Sequence, residues 1–394
     1  MISNRLIKLT EKNSAIREMF EEGNRLSALY GKDNVYDFSL GNPSVETPIE
    51  VKNVIKQILD NNSSFDIHGY MPNAGYKCVR ENIAYSLKSK YGINYTFSNV
   101  IMTVGAAGGL NCILQALLNP GDEVIANAPY FVEYGNYITN WGGEIVVAKT
   151  SELDFLLSKE NISKVVSEKT KAIIINNPNN PTGVVYDVSN IKSVCEMLMG
   201  KEKQYKHPIY IISDEPYRDL AYDGISVPFI PNYYKNTIIV YSWSKSLSLP
   251  GERIGYIAIN PNAQDSELIS RAAIISNRII GFVNAPSLFQ HVINHTLSVI
   301  PKIDLYDYNR KILYENLKRI GYECVYPQGA FYLWMKTPCD ENRFIEEAKK
   351  FRLLLVPGSS FNYPGYVRIA YCVSKNSVIN SIPAFMQLWN DIKQ

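Results

Sequence analysis

The stretch that decides the fold runs from Tyr241 to Gly255 and reads YSWSKSLSLPGERIG. An apolar run beginning at Thr237 leads directly into it and is typical of a strand, and the serines, glycines and proline that follow indicate a loop. Lys245 therefore falls in a loop at the end of a buried strand. A lysine packs badly there but is well placed to act as an amine nucleophile. Taken alone, the pattern favours an ordinary exposed loop lysine, so the rest of the chain must decide.

The segments around this stretch predict a parallel sheet. From about residue 99 to residue 259, short apolar runs that read as strands alternate with segments of helical periodicity. Continuous apolar runs are typical of parallel strands that are buried on both faces. We therefore predict an α/β fold in which helices sandwich a mostly parallel central sheet. The predicted strands are 99–104, 123–126, 144–148, 172–175, 209–213, 237–241 and 254–259.

The pattern changes after about residue 290. Long helical segments follow, separated by short alternating strands such as Ala330 to Trp334. This change predicts a second, smaller α+β domain. We expect a large domain over residues 46–288 and a small domain made of residues 289–394 together with the N-terminal segment 1–45.

Composition narrows the class of protein. Forty Lys and Arg residues stand against 38 Asp and Glu residues, and a net charge of +2 gives no electrostatic reason to expect nucleic acid or a membrane as a partner. The chain shows neither a secretory signal nor an apolar run of 18 residues, so no transmembrane helix is expected. Six scattered cysteines without a C-x-x-C pair predict reduced thiols in a cytoplasmic protein.

Several predicted strands end in polar or glycine-rich loops. Ligands of open α/β sheets bind at the carboxyl ends of the strands, so we expect these loops to converge on one edge. The loops are 105–109, 176–183, 214–217 and 242–253.

The first and last of these loops predict an anion site. Gly105, Ala106 and Ala107 open a helix, so that free backbone N–H groups and the helix N-terminus face an anion. Arg253, with Ser242 nearby in the chain, completes such a site because a guanidinium matches phosphate oxygens in a fork. A helix start packed tightly on a strand, with Arg253 in a surface ion pair, is the alternative.

The other two loops supply polar groups. Asp214 follows a buried strand, where a carboxylate needs a partner. That partner is a neighbouring arginine, a helix N-cap or a cationic heterocycle. Tyr217 and Asn180 offer hydrogen bonds to one ligand oxygen, although Asn180 also reads as a turn residue before Pro181. An amine, an anion site, a carboxylate and these donors are together what pyridoxal phosphate uses, since it bonds to a lysine and acts as an electron sink while its ring nitrogen is protonated.

The chain resembles the class I/II, fold type I aminotransferases that depend on pyridoxal phosphate, in the aspartate aminotransferase superfamily. The matching motifs occur in the family's order and cover nearly the whole chain. They are Tyr70-x4-Gly75, Gly105-Ala106-Ala107, Pro129-Tyr130-Phe131, Asn180-Pro181-Thr182-Gly183, Asp214-x2-Tyr217, Ser242-x2-Lys245 with Arg253, and Tyr366-Val367-Arg368-Ile369.

The resemblance implies that the large domain binds the cofactor and that the amino group of an L-amino acid passes to a 2-oxo acid in a ping-pong reaction. Aspartate and 2-oxoglutarate are candidate substrates. The resemblance also implies a homodimer with shared active sites, in which Tyr70 reaches the phosphate across the dimer interface.

Further roles are implied residue by residue. Lys245 bonds covalently to the cofactor and then shuttles a proton between the substrate and the cofactor. Asp214 pairs with the ring nitrogen, and Tyr217 and Asn180 contact the phenolic oxygen. Phe131 stacks on the ring.

The phosphate and the substrate have their own residues in this resemblance. The backbone at 105–107 holds the phosphate together with Ser242 and Arg253. Arg368 clamps the α-carboxylate of the substrate, with the backbone of Gly41 on its other side and Asn180 beside it.

Four alternatives remain open or are set aside. A carbon–sulfur β-lyase on the same fold needs the same lysine and electron sink, and it stays the second hypothesis. Arg278 and Arg17 are candidates for reading a distal carboxylate, against the alternative of solvated helix charges. A regulator with an added DNA-binding domain is not expected, since the motifs begin within the first 45 residues. His291 and His295 lack a third ligand, so no metal site is expected.

Overall fold

The structure, a computed structural model, describes residues 2–10 and 15–393. It contains two compact units. The larger unit consists of Val45–Asn179 and Val185–Lys302, and the smaller unit consists of Met1–Ser44, Asn180–Val184 and Ile303–Gln394. The predicted functional domains, 46–288 and 1–45 with 289–394, stay a prediction.

The strands are β1 (Tyr36–Asp37), β2 (Val100–Val104), β3 (Glu123–Ala128), β4 (Glu144–Lys149), β5 (Thr170–Asn176), β6 (Tyr210–Asp214), β7 (Thr237–Ser242), β8 (Ile254–Ile259), β9 (Cys324–Val325), β10 (Tyr332–Lys336), β11 (Leu353–Leu354), β12 (Val356–Pro357) and β13 (Tyr366–Ala370). The α-helices are α1 (Asn4–Thr10), α2 (Ala15–Tyr30), α3 (Ile49–Asn61), α4 (Ser64–His68), α5 (Lys77–Tyr91), α6 (Gly105–Leu117), α7 (Tyr134–Asn140), α8 (Lys159–Val165), α9 (Val188–Tyr205), α10 (Trp243–Ser246), α11 (Ser266–Ile279), α12 (Ser287–Thr296), α13 (Asp304–Ile320), α14 (Glu341–Lys350) and α15 (Lys375–Lys393). Short 3-10 turns occur at Lys32–Asn34, Phe97–Asn99, Ile230–Asn232, Pro250–Glu252 and Gly358–Phe361.

The larger unit is built on a seven-stranded sheet with the order β2-β8-β7-β6-β5-β3-β4. Its strands are parallel except β8, which is antiparallel to both of its neighbours. The predicted α/β fold with a mostly parallel central sheet is confirmed. Because two antiparallel steps separate β2 from β7, these two strands point the same way. The carboxyl ends of β2, β5, β6 and β7 therefore share one edge with the start of β8.

Helices cover both faces of this sheet, which explains the continuous apolar runs. Successive side chains of a strand point to opposite faces. Ile101 packs into the apolar cluster that contains Leu110 and Leu114 of α6. Its neighbour Met102 packs into the other cluster, with Val79 and Ile83 of α5. Both faces are buried, so every position along β2 is apolar or buried.

Helix α6 begins at Gly105, directly after β2, and therefore earlier than the predicted helical run from Leu110. Gly105 has a φ of +67°, which lets the chain pass from strand to helix without a connecting loop. At Gly109 an added Cβ would lie 2.8 Å from Cγ1 of Val240, so glycine allows the helix to pack closely on β7. The glycines predicted as a loop are thus the first turns of a helix packed on the sheet.

The smaller unit has two sheets. One is antiparallel with the order β12-β13-β10-β9, and the other pairs β1 with β11 in parallel. Strand β1 is only two residues long, Tyr36–Asp37. The carboxylate of Asp37 accepts hydrogen bonds from both the N–H and the hydroxyl of Ser39, which bends the chain after β1. Within the described ranges 2–10 and 15–393, no helix has the length and apolar character needed to cross a membrane.

Candidate active site

The sheet edge at the end of β6 places residues of three strands side by side. Asp214 lies beside Asn176 of β5 and Val240 of β7. The side-chain amide of Asn176 donates to the backbone oxygen of Asp214 at 2.9 Å, which fixes the end of the strand. The expected convergence of loops at this edge therefore holds for Asn176 and Asp214.

Asp214 is buried, and its two carboxylate oxygens differ. The hydroxyl of Tyr134 donates to Oδ2 at 2.5 Å. Oδ1 is buried and has no hydrogen-bond partner in the part of the chain that the structure describes. Burial raises the pKa of Asp214 to about 7, against the smaller lowering effect of the Tyr134 hydrogen bond. Asp214 is thus a buried acceptor that still needs a donor, preferably a cationic one.

The next residue, Glu215, is also buried, but both of its carboxylate oxygens accept hydrogen bonds. Its carboxylate accepts hydrogen bonds from Nη1 of Arg218 and from the hydroxyl of Ser213, both at 2.7 Å. Burial raises the pKa of Glu215, and the Arg218 charge opposes that rise. Of these two neighbouring carboxylates, only Asp214 is left with an unpartnered oxygen among the described residues.

The start of α6 forms a compact anion-binding geometry with β7 and β8. Ser242 of β7 lies beside Gly255 of β8, which in turn lies beside Thr103 of β2. A Cβ on Gly105 would lie 2.8 Å from Nη2 of Arg253, so the guanidinium occupies the space over the first turn of the helix. Arg253 is exposed, and its Nη1 donates to the backbone oxygen of Pro250 at 2.9 Å. The arrangement brings helix N–H groups and a guanidinium to one place, as the sequence predicts for a phosphate.

Lys245 lies on the one-turn helix α10, where the sequence predicts a loop. The helix follows β7 directly, with Ser242 as its N-terminal neighbour. Lys245 is half-buried, whereas the adjacent residues Ser244 and Ser246 are buried. The helix therefore sits at the same sheet edge as Asp214 and turns the lysine to its more open side.

Aromatic residues lie next to Asp214. Phe131 is half-buried, and its ring contacts that of Tyr134 edge-on, with the centroids 5.6 Å apart. Tyr217 is buried three residues after Asp214. Sequence reasoning missed Tyr134, although it follows the Pro129-Tyr130-Phe131 motif by three residues. The backbone N–H of Tyr134 donates to the oxygen of Phe131 at 3.1 Å, and this turn places Tyr134 at the start of α7 next to the motif.

In the smaller unit, Arg368 of β13 is a buried cation. Its Nη2 donates to the backbone oxygen of Ser39 at 2.6 Å, and its Nη1 donates to Oδ1 of Asn180 at 3.1 Å. The guanidinium carbon lies 4.6 Å from the ring centre of Tyr332 and 4.9 Å from that of Phe361. Nε of Arg368 is buried without a partner among the described residues. A planar carboxylate is the ligand that a guanidinium held in this way prefers.

Gly41 is the other predicted carboxylate contact. A Cβ at this position would overlap the hydroxyl of Tyr332, so only glycine fits against that ring. Because Tyr332 also stacks on Arg368, the ring connects Gly41 to the guanidinium. The structure thus brings together Arg368, Gly41 and Asn180, as expected.

The remaining predicted residues are Tyr70, Arg278, Arg17 and the two histidines. Tyr70 is 94% exposed in this single chain. Arg278 is exposed in the last turn of α11. The side chain of Arg17 lies outside the described residues. Nε2 of His291 donates a hydrogen bond to the backbone oxygen of Asp66 at 3.3 Å, and no group of three metal-ligating side chains occurs in the described ranges.

Comparison with known proteins is consistent with this geometry. A family model described as aminotransferase class I and II matches residues 33–382. The aspartate aminotransferase of Pyrococcus horikoshii is 31% identical over 94% of this chain and 93% of its own. An aminotransferase of known structure from Eubacterium rectale is 40% identical and covers 100% of both chains with a TM-score of 0.97. The structure of the Thermus thermophilus aspartate aminotransferase with maleate is 27% identical, covers 96% of this chain and 97% of its own, and has a TM-score of 0.84.

The chain therefore belongs to the aminotransferase class I and II family and is an aminotransferase that depends on pyridoxal phosphate. The orphaned oxygen of Asp214 fits the protonated ring nitrogen of this cofactor, and the start of helix α6 at Gly105 beside the guanidinium of Arg253 is a set of donors that fits its phosphate. The relatives named above carry aminotransferase names, so they give no support to the carbon–sulfur β-lyase hypothesis.

The raised pKa of Asp214 predicts a pH dependence of stability in the cofactor-free protein. The folded state keeps this proton up to a pH of about 7, whereas the unfolded chain releases it near its ordinary pKa of 3.8. The folded state binds the extra proton between these values, so its stability falls as the pH rises through this window. We expect Asp214→Asn to remove this part of the pH dependence, of the order of a few kcal/mol.

Urea unfolding of the cofactor-free proteins between pH 4 and pH 8 measures the difference. The free energy of unfolding of the wild type should fall relative to that of Asp214→Asn as the pH rises. Parallel curves for the two proteins would show that Asp214 titrates normally.

Proposed function

We propose that this protein moves the amino group of an L-amino acid to a 2-oxo acid in a ping-pong reaction, with aspartate as a candidate donor. The observation that carries the proposal is the buried oxygen Oδ1 of Asp214, which has no partner among the described residues. A buried carboxylate oxygen of this kind is costly unless it receives a hydrogen bond. A protonated pyridine nitrogen supplies both the hydrogen bond and the opposite charge.

Two groups of the larger unit act on the reaction in this proposal. When bound, pyridoxal phosphate supplies an electron sink that makes the α-proton of an amino acid acidic. Asp214 keeps the ring nitrogen protonated by its negative charge. Lys245 would hold the cofactor covalently, and its Nζ would take up and release the α-proton of the substrate.

Other residues bind and orient the cofactor. The backbone N–H groups at 105–107 hold the phosphate with Ser242 and Arg253, because the helix N-terminus and the guanidinium both favour an anion. Phe131 lies against the ring. Tyr217 and Asn180 donate hydrogen bonds to the phenolic oxygen.

Arg368 binds the α-carboxylate of the substrate, with Gly41 and Asn180 beside it. The support is that Arg368 is a buried cation that donates hydrogen bonds to two neutral oxygens, the backbone oxygen of Ser39 and Oδ1 of Asn180. A substrate carboxylate supplies the missing negative charge. The names of the relatives, and the maleate in the Thermus thermophilus structure, favour a dicarboxylic substrate. Arg278 is the candidate for its distal carboxylate.

The half-reaction tests the proposed function. With an amino acid donor and no 2-oxo acid, the wild type should release one equivalent of 2-oxo product per active site and then stop. Lys245→Ala should release none and should lose the absorbance of the covalent lysine–cofactor link, with Lys235→Ala as the matched control. Continuous release of pyruvate from a cysteine conjugate, without any 2-oxo acid, would identify a lyase instead.

Substrate variation tests the two arginines. Arg368→Leu should raise the KM of every amino acid and 2-oxo acid by about 100-fold, because all of them carry the α-carboxylate and a charged hydrogen-bonded pair contributes a few kcal/mol. Arg278→Leu is the comparison variant, since it should raise the KM of aspartate but not that of alanine. If Arg368→Leu affects only dicarboxylic substrates, Arg368 reads the distal carboxylate.

We also propose a homodimer in which Tyr70 of each chain contributes to the phosphate site of the other. The support is that Tyr70 is 94% exposed in the single chain, which is unusual for a large aromatic side chain. Tyr70→Phe should raise the dissociation constant of pyridoxal phosphate about tenfold without changing the dimer mass in sedimentation. A wild-type protein that sediments as an active monomer would contradict the shared site.

A further inference from the structure

Helix α10, which carries Lys245, lies beside a cavity of about 460 Å³. Side chains on the far side of the helix from the open lysine line this cavity, together with residues of α5 and of the segment after β6. Among them are Lys90, Arg218, Asp219, Tyr241, Trp243 and Ser246. A helix of one turn has little stability of its own, so contacts with its neighbours must hold it in place.

Two consecutive hydrogen bonds connect residues that line this cavity to α10. The hydroxyl of Tyr241 donates to Oδ2 of Asp219 at 2.6 Å. The hydroxyl oxygens of Tyr241 and Ser246 lie 2.8 Å apart. Because the single hydroxyl proton of Tyr241 goes to Asp219, Ser246 must be the donor in this second bond. The chain therefore runs from Ser246 through Tyr241 to a carboxylate.

Asp219 is a strong acceptor because it stays ionised. Burial raises its pKa, but the Arg218 charge, the Tyr241 hydrogen bond and Lys90 together outweigh burial and hold the pKa below its ordinary value. Nζ of Lys90 lies 3.5 Å from Oδ1. A hydrogen bond to an ionised acceptor is about twice as strong as one between neutral groups, and it also polarises the next bond in the chain.

Residues that line the same cavity also contact the chain directly after β6, the strand that ends at Asp214. The guanidinium of Arg218 lies 4.5 Å from the ring centre of Tyr241 and hydrogen-bonds to Glu215. The backbone N–H of Glu215 donates to the oxygen of Val240, next to Tyr241. The ring of Tyr241 thus has a packing role, and its hydroxyl has a separate role toward Ser246.

We propose that Tyr241 and Ser246 are positioning residues for Lys245: the hydrogen-bond chain to Asp219 fixes helix α10 against the cavity and so sets the place of the lysine amine. The proposal rests on the proposed function in one respect, that Lys245 is the residue to which the cofactor is attached. Without the chain, the cavity leaves α10 room to shift, and the amine of Lys245 moves with the helix.

The test separates the hydroxyl from the ring. Tyr241→Phe keeps the ring and its contact with Arg218 but removes both hydrogen bonds, and Ser246→Ala removes only the second one. Each variant should raise the dissociation constant of pyridoxal phosphate about tenfold. The absorbance of the covalent lysine–cofactor link measures this binding. Each should also lower kcat more than it changes KM. The double variant should be no worse than Tyr241→Phe alone, because both changes break the same chain.

Tyr234→Phe is the matched control. Tyr234 is also buried, and its hydroxyl donates to the backbone oxygen of Ile209 at 2.8 Å, at the opposite end of the strands. This variant should lower Tm but leave the cofactor dissociation constant and kcat unchanged. If Tyr241→Phe behaves like Tyr234→Phe, or if the effects of the two α10 variants add, the positioning role is wrong.

Borohydride reduction followed by peptide mapping keeps the two hypotheses apart. Reduction should fix the cofactor on Lys245 in the wild type and in Tyr241→Phe. Label on a different lysine in the wild type would overturn the proposed function itself. Label on Lys245 combined with unchanged cofactor binding in Tyr241→Phe would overturn only the positioning role.

Discussion

The constraint on which the larger unit depends is the burial of the Asp214 carboxylate at the carboxyl end of β6. A buried carboxylate is costly as an anion, and one hydrogen bond from Tyr134 offsets only part of that cost. The sheet nevertheless holds the group there, because the Asn176 side chain donates a hydrogen bond to the backbone oxygen of Asp214 and because β6 is paired with its neighbouring strands. The fold therefore contains an unfavourable interaction that a cationic ligand relieves. Cofactor binding and stability are coupled for this reason, since a ligand that binds only the folded state stabilises it.

The contrast with Glu215 shows how two adjacent carboxylates acquire different roles. Successive residues at the end of a strand point to opposite faces, so Asp214 and Glu215 meet different surroundings. Glu215 is paired permanently with Arg218, and removing either partner would leave a buried charge. Among the described residues, the Asp214 carboxylate accepts a hydrogen bond only from the Tyr134 hydroxyl. Two adjacent carboxylates thus have different roles: Glu215 forms a structural ion pair, and Asp214 keeps an oxygen that can accept a hydrogen bond from a ligand. Only their surroundings differ.

Much of the fold could be predicted because it depends on local patterns. Continuous apolar runs predicted the buried parallel strands, and the loops after them predicted the edge where Asp214, Ser242 and Gly105 lie. Sequence reasoning failed where contacts link distant parts of the chain. Tyr134 is 80 residues from Asp214, and Asp219 is 22 residues from Tyr241. Neither pair has a local signal, because a hydroxyl and a carboxylate at those separations meet only through the order of the strands. Arg368 was identified as a candidate site residue only through the resemblance to the aminotransferase family.

The same physical argument applies to each unit separately. The larger unit keeps a carboxylate oxygen without a hydrogen-bond donor, and the smaller unit keeps a buried guanidinium nitrogen without an acceptor, among the described residues. Apolar side chains of similar size at these positions would avoid the desolvation cost, so burial of the polar groups lowers stability. Such groups are understandable when a ligand supplies the opposite charge, which in the proposed function is a protonated ring for Asp214 and a carboxylate for Arg368. The stability given up in the free protein is regained as binding free energy, and the buried geometry then favours a planar carboxylate over other anions at Arg368.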